Sequence, residues 1–358
     1  MKRRDLEERE TDKPYQQVLD SFIRENKKEL SHQDINYLKS MVHAQIEIEY
    51  AASISRISAQ KVGSHVEESG VAVFADADSY IPVDGGGFDK ILTSYMQSFR
   101  HKFRFHCKVF RIEYDIAGQS EQQLLTKVSY TDKKGAQRSK WAKTVLVTVP
   151  LGVLKRNVIQ FQPPLPQIKL NAIANVGYGT LNKCIMYWET PQDEWWPKGK
   201  EVLTLANGDN TFTTMFNDME IGNGNHSVLG AWIAGEMATL MESKSDDFIL
   251  EKVHDNLKVM MNRTDLPRPS QFVTTRWGVD EYSYGSYSWK SVGPSGQWLD
   301  TEAARRELGA RTGSNLFWAG EASHAKWSGT TVGAYSTGQM VVDDILLALQ
   351  HENYGNDN

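Results

Sequence analysis

From residue 15 the apolar positions recur at helical spacing. Val18, Phe22 and Ile23 share one face, and Ile35, Leu38, Met41 and Val42 share another. The pattern predicts helix over residues 15–62, with Ser31 and Asp34 as a capping box ahead of the second stretch. Further along, the period changes. Phe103 to Tyr114 and Leu124 to Tyr130 alternate as strands do, and Lys133-Lys134-Gly135 marks a turn after the second. Lys143 to Val149 is a continuous apolar and β-branched run, which predicts a strand buried on both faces and leaving at Pro150. Pro163-Pro164 marks an irregular exit. Leu181 to Trp188, Val228 to Ile233 and Val273 to Trp277 read as strands, and Phe88 to Phe99 and Asp246 to Met261 as helices. Leu316 to Trp318 is a last short strand before a last helix. Strands and helices alternate without an internal repeat, so the expected class is α/β (α+β).

Composition changes this picture little. The chain has 358 residues, 40% hydrophobic and 24% charged, enough for a sizeable core and two domains. A formal charge of −5 without a long basic run suggests no nucleic-acid partner. The charged start, Met1 to Lys13, lacks the apolar core of a signal peptide, and the apolar stretch Val145 to Leu154 is too short to span a bilayer. An intracellular, cytoplasmic protein with no membrane partner is the expectation. Cys107 and Cys184 stand in no C-x-x-C pair, so neither a metal site nor a disulfide framework is expected.

Candidate chemistry gathers in five stretches. Leu316 to Gly338 reads as a strand, the Ala319-Gly320-Glu321 turn, a loop, and a glycine-flanked helix start at Thr330, Thr331 and Val332. Such a helix N-terminus lets a flat or anionic group approach backbone N–H groups, although ordinary strand–loop–helix turns look the same. Val83 to Leu92 places Gly85, Gly86 and Gly87 before a helix. Lys143 to Pro166 carries T-V-P-L-G-V-L and F-x-P-P-L-P. Val176 to Lys183 ends in Asn182-Lys183. Thr275 to Tyr287 holds Arg276-Trp277, an acidic loop and Gly285-Ser286-Tyr287. Taken singly, Lys183 reads as a strand-edge lysine, and Trp277 and Tyr287 as core aromatics.

Together and in this order, these stretches resemble the FAD-dependent amine oxidases, the group of polyamine oxidases, monoamine oxidases and flavin histone demethylases. The resemblance implies a role for each position. Gly86 belongs to a cofactor-contacting turn, the Val109 backbone meets the adenine, and Pro150 turns the chain over the cofactor. Gly320, Glu321, Thr331 and Val332 hold the flavin, with Glu321 on a ribityl hydroxyl and the helix start stabilising charge on the reduced ring. Trp277 flanks the ring, and Tyr287 and Thr330 wall the substrate cavity. Lys183 holds a water at flavin N5; a lysine in an apolar site has its charged form disfavoured and can take a proton. The implied reaction passes hydride from the carbon beside the amine to flavin N5. The imine then hydrolyses, and molecular oxygen reoxidises the flavin with release of hydrogen peroxide. A polyamine is the first choice of substrate. Thr330, where many polyamine oxidases carry an aromatic, and Val332, where a histidine is frequent, depart from that pattern. A histone demethylase is expected to carry a coiled-coil insertion, and no sustained heptad appears between Gln160 and Val273. An L-amino-acid oxidase is a further alternative.

The resemblance runs from about Ala51 to Leu349 and omits one element. No G-x-G-x-x-G is present, and Gly63 is the only glycine before position 70. The expected organisation is a helical part of the substrate domain (1–80), an FAD-binding segment (81–155), a substrate-binding region (156–290) and a C-terminal FAD-binding segment (291–358). A fragment or a natural derivative would explain the omission, with FAD bound weakly by this chain alone. The competing reading is a non-catalytic homologue acting as an interaction module. Oligomeric state is open.

Overall fold

The computed structural model describes residues 12–60, 89–118, 124–189, 196–197, 200, 202–205, 215–218, 227–292 and 301–354. Helix α1 (Tyr15–Glu25) and helix α2 (His32–Val42) form where the pattern puts them. The capping box is present, Asp34 N–H donating to Ser31 Oγ and Ser31 N–H to the Asp34 carboxylate. Helix α2 continues through a π-helical turn, His43–Glu47, to Tyr50 and stops there, short of residue 62. The stop is tertiary. Ala51 adopts a left-handed φ of 52°, and its carbonyl accepts the Thr180 N–H at 2.8 Å. Gly179 lies so close that a Cβ there would sit 2.2 Å from the same oxygen. Residues 51–60 are turn and bridge instead of helix.

Helix α3 (Asp89–Met96) passes into a 3-10 turn, Gln97–Lys102. Strands β1 (Lys108–Ala117), β2 (Leu124–Thr131) and β3 (Gln137–Ala142) form an antiparallel meander around the predicted Lys133-Lys134-Gly135 turn. The first strand starts at Lys108, not Phe103, because His106 just ahead of it takes a positive φ of 56°. Strand β3 escapes the hydrophobic pattern: Gln137 to Trp141 are all exposed, and pairing with β2 supplies its order.

The run Lys143 to Val149 yields only β4 (Val145–Val147), with Val145 and Leu146 half-buried. Its partner is the last strand, in parallel register, and no other strand flanks it among the described residues. Helix α4 (Leu151–Lys155) starts after Pro150. Strand β5 (Gln160–Gln162) then adds parallel to β1, and helix α5 (Gln167–Asn175) follows. Ile112, Leu151, Ile173, Leu308, Leu316 and Trp318 are part of the core these elements share.

Strand β6 (Gly177–Tyr178) leads into β7 (Leu181–Trp188), which sits in a five-stranded antiparallel sheet. Its other strands are β8 (Val202–Thr204), β9 (Met215–Asp218), β10 (Ser227–Ala234) and β11 (Gln271–Thr274), in the order β11-β7-β10-β9-β8. The run predicted from Val273 to Trp277 pairs only as far as Thr274, since Thr275 to Trp277 turn to bond Asn182 and Lys183. Helix α6 (Gly235–Met241) and helix α7 (Asp246–Met261) follow β10. The second packs Ile249, Leu250, Val253 and Leu257 onto Met186, Leu229 and Ile233. The alternation along β7 is thereby satisfied on its buried face. Strand β12 (Ser288–Trp289) pairs with β6. Helix α8 (Thr301–Gly309), strand β13 (Leu316–Trp318) and helix α9 (Thr331–Tyr354) complete the described chain.

One buried lysine joins the core around β13. Lys169 of α5 is fully buried, and its ammonium caps the end of α8 by donating to the carbonyls of Glu307, Leu308 (3.2 Å) and Ala310 (2.7 Å). It also lies 5.0 Å from the Trp318 ring. Three acceptors match the three N–H bonds of an ammonium. Burial lowers its pKa to about 8, with Glu307 opposing the shift, so it is charged at neutral pH. Lys169→Met strands three helix-end carbonyls and is expected to cost about 2–4 kcal/mol in chemical denaturation at pH 7. Between about pH 8 and the ordinary lysine value of 10.5, the unfolded chain holds a proton that the folded one has released. Stability carried by this group therefore rises with pH across that window, and Lys169→Met removes that slope.

Candidate functional site

Strand β13 delivers the chain into a turn that only glycine accommodates freely. Gly320 has a φ of 148°, its N–H donates to Thr337 Oγ1 of α9 at 3.0 Å, and no atom lies within 4 Å of the position a Cβ would take. Glu321 then points its carboxylate into the protein. Oε1 accepts from the Ser288 N–H (3.2 Å), and Oε2 accepts from Ser288 Oγ and the Gly329 N–H, both at 2.6 Å. Behind Ser288 lies Arg305, fully buried, whose Nη1 donates to Ser288 Oγ and to the Ala322 carbonyl at 2.8 Å each. Burial lowers the Arg305 pKa to about 10, with Glu321 opposing the shift, so the guanidinium stays charged. A carboxylate offers about four acceptor positions. Three are filled here, leaving capacity for one more donor such as a hydroxyl. Sequence reasoning missed Arg305, since it sits in a polar helix with nothing to separate it from its exposed neighbours.

The loop after Glu321 ends in a capped helix. Thr330 Oγ1 accepts the Gly333 N–H at 3.0 Å and donates to the Trp327 carbonyl at 2.7 Å. Thr331 is the first residue of α9, and Val332 beside it is exposed. The first-turn N–H groups thus present the positive end of a 24-residue helix. A cleft of about 240 Å³ adjoins this turn, lined among others by Val149, Pro150, Tyr178, Gly320, Glu321 and Ala334. It brings together Pro150, Gly320 and Glu321 of the expected set. Lys183, Val109, Trp277, Tyr287, Thr330, Thr331 and Val332 are not among its lining residues.

A second set is built on β7. Asn182 is completely buried and meets four partners. Its Nδ2 donates to the Ala238 carbonyl (3.3 Å) and Glu242 Oε1 (2.9 Å). Its Oδ1 accepts from Thr275 Oγ1 (3.2 Å) and the Trp277 N–H (2.9 Å). The amide therefore fixes the backbone that carries Trp277, whose side of the fold is open: the residue is 44% exposed. Thr275 Oγ1 also accepts the Lys183 N–H at 2.8 Å, tying both predicted residues to one network. The signal for Asn182 was in the sequence, as a lone amide in an apolar strand.

Lys183 is half-buried, with Nζ 4.3 Å from the centroid of the Trp232 ring across the β7–β10 pairing. Burial lowers its pKa below the ordinary lysine value. Tyr287 turns its hydroxyl inward to donate to the Ile48 carbonyl at 2.9 Å, and burial raises its pKa. Ser286 beside it accepts the Leu181 N–H at 2.8 Å and donates to the Leu181 carbonyl, so the Gly285-Ser286-Tyr287 stretch is clamped to the start of β7. Val109 is half-buried in β1, opposite Tyr130. Gly86 lies outside the described residues. Among the described residues no group of three or more His, Cys, Asp or Glu could hold a metal ion.

Known proteins share both sequence and fold with this chain. Polyamine oxidase 4 of Oryza sativa subsp. japonica is 37% identical over 217 residues, which is 61% of this chain and 41% of that protein. Lysine-specific histone demethylase 1 homolog 1 of the same plant is 34% identical over 224 residues, 61% of this chain and 25% of that protein. The chain thus spans less than half the length of either relative. Among solved structures, cyclohexylamine oxidase from Brevibacterium oxydans superposes with a TM-score of 0.67 at 18% identity, over 94% of this chain and 68% of that one. A putrescine oxidase gives 0.67 at 15% identity over 94% and 68%. At such identities these two show the fold alone. The sequence pattern of flavin-containing amine oxidoreductases matches residues 4–346, starting well before the Ala51 expected from the motifs. With nearly its whole length matched, the chain belongs to the family of flavin-containing amine oxidoreductases.

Proposed function

We propose that the protein to which this chain belongs oxidises an amine with FAD as electron acceptor, and that its substrate is a polyamine. The observation that carries this reading is the Gly320 turn. Its missing Cβ leaves open space beside a cleft walled by Pro150 and Glu321, next to the positive end of α9. These features fit a flat group that gains negative charge. When bound, FAD supplies the two-electron chemistry at the carbon beside the amine, with oxygen reduced to hydrogen peroxide.

The chain's own side chains would do the rest. Lys183, its ammonium disfavoured by burial, holds a water or takes a proton near the reacting carbon. Trp277, anchored by Asn182, flanks the ring, and the Tyr287 and Thr330 side chains wall the amine's approach. Glu321 uses its remaining acceptor capacity for a ribityl hydroxyl, while Thr331 and Val332 present backbone N–H groups. Val109 serves the adenine end, and Gly86 belongs to a cofactor-contacting turn. The four-part domain division given above belongs to the same proposal. Sequence identity to polyamine oxidases and to a histone demethylase supports amine chemistry, and the absence of an inserted coiled-coil pattern supports the smaller substrate.

A non-catalytic interaction module is the second reading; this chain by itself carries no G-x-G-x-x-G to hold the FAD pyrophosphate. Dialysis after incubation with excess FAD is expected to leave this chain with little bound flavin; a retained stoichiometric spectrum overturns that expectation. Peroxide release on adding spermine or N-acetylspermine under saturating FAD supports the oxidase reading, and its absence supports the module. Lys183→Met is expected to lower kcat by about 100-fold. For the unsubstituted protein, kcat/KM rises with pH through a lysine pKa below the ordinary value, and the variant loses that limb. An unchanged profile removes Lys183 from the mechanism.

A further inference from the structure

The formal charge of −5 conceals a strong segregation. Residues 100–111 and 127–143 hold 11 of the 40 Lys and Arg residues and only one of the 45 Asp and Glu residues, leaving 29 bases against 44 acids elsewhere. The fold brings the two stretches together. Val109 of β1 lies opposite Tyr130 of β2, and Tyr130 lies opposite Arg138 of β3. At this end of the sheet is an open hollow of about 640 Å³, bounded by Arg104, Phe105, His106, Tyr130, Arg138 and Lys140, with Lys133 and Lys134 on its hairpin rim.

The one acid there is already engaged. Asp132 accepts the N–H groups of Lys134 (2.9 Å) and Ala136 (3.0 Å) and the Arg138 guanidinium (3.2 Å), so it closes the turn. Arg104, Lys133, Lys134 and Lys140 have no carboxylate partner among the described residues. Lys108 and Lys127, by contrast, pair with Glu281 and Glu113. Unpaired cations within a Debye length of one another repel, and a polyanion relieves that repulsion. The hollow also has an aromatic side. Phe105 is 63% exposed and stacks on Phe103 with centroids 6.0 Å apart and planes within 14°.

We propose that this hollow binds single-stranded nucleic acid, with phosphates along Lys133, Lys134 and Lys140 and a base laid on Phe105. Exposed base faces and a phosphate chain are the two features the surface complements together. A duplex hides its base faces, and an anionic membrane or acidic peptide provides charge without a planar ring for Phe105. Net charge and the lack of a long basic run suggested no such partner; the proposal departs from that expectation on the distribution of the charge. The surface is separate from the Gly320 cleft, and the proposal stands whether or not the chain oxidises amines.

Fluorescence anisotropy of the full chain with a labelled oligothymidylate of about 15 nucleotides tests it. Binding is expected at low salt, with log K falling against log salt at a slope of about −2 to −3, as three or four phosphate contacts require. Lys133→Glu with Lys134→Glu abolishes binding, Phe105→Ala weakens it roughly tenfold, and Phe105→Tyr retains it. All these positions are exposed, so the fold is undisturbed. No binding at low salt overturns the proposal, as does an unaltered affinity for Phe105→Ala. Tighter binding to duplex DNA or to phosphatidylserine vesicles reassigns the surface to those partners. Displacement of the oligonucleotide by equimolar FAD assigns the hollow to the cofactor.

Discussion

The carboxylate of Glu321, with its acceptors turned to Ser288 and Gly329 and the Arg305 guanidinium one hydroxyl away, fixes where four separate segments of chain meet. It joins the end of β13, the start of β12, the loop before α9 and helix α8. Each of these segments would otherwise be a loop or a short element with little to position it. Burying the Arg305 guanidinium behind a half-buried carboxylate is a costly choice for stability alone, because the cation loses its water. It does specify geometry. With Glu321 neutralised, the fully buried Arg305 guanidinium loses the opposite charge that faces it across the Ser288 hydroxyl. The turn at Gly320 is therefore held by a polar network, while core side chains such as Val147, Leu151, Leu308 and Trp318 wall the cleft beside it.

The amide of Asn182 plays the matching part on β7. A fully buried side chain with both donors and acceptors engaged is well suited to hold a backbone that packing leaves free. Trp277 needs such help, since its own side chain stays partly exposed. Two polar networks thus order two sets of residues, one at the turn and one at the sheet.

The elements easiest to read from the sequence were those whose order is local. The Ser31–Asp34 capping box, the Leu181–Trp188 strand and the Asp246–Met261 helix all appear at their expected residues, because caps and amphipathic faces are written in neighbouring positions. The errors share a different cause. Helix α2 ends at Tyr50 because Gly179 and Thr180, far away in sequence, occupy the Ala51 carbonyl. Strand β3 exists through backbone pairing that its polar side chains do not announce. At the site, Pro150, Gly320 and Glu321 could be named from motifs, whereas Arg305 could not. Its significance comes from burial against Ser288, which no local pattern encodes.

The corner at Ala51 has a consequence for how this molecule can diverge. The carbonyls of Ile48 and Ala51 take the Tyr287 hydroxyl and the Thr180 N–H, and a Cβ on Gly235 would press on the Ser53 nitrogen at 2.9 Å. The N-terminal helices are thereby fastened to the base of β7 and the end of β10 at the level of main-chain atoms. They pack against Tyr287, while the Gly320 turn is built wholly from later residues. Drift in these helices therefore reshapes the packing around Tyr287 and leaves the Gly320 turn untouched, so the two regions can diverge on separate parts of one chain.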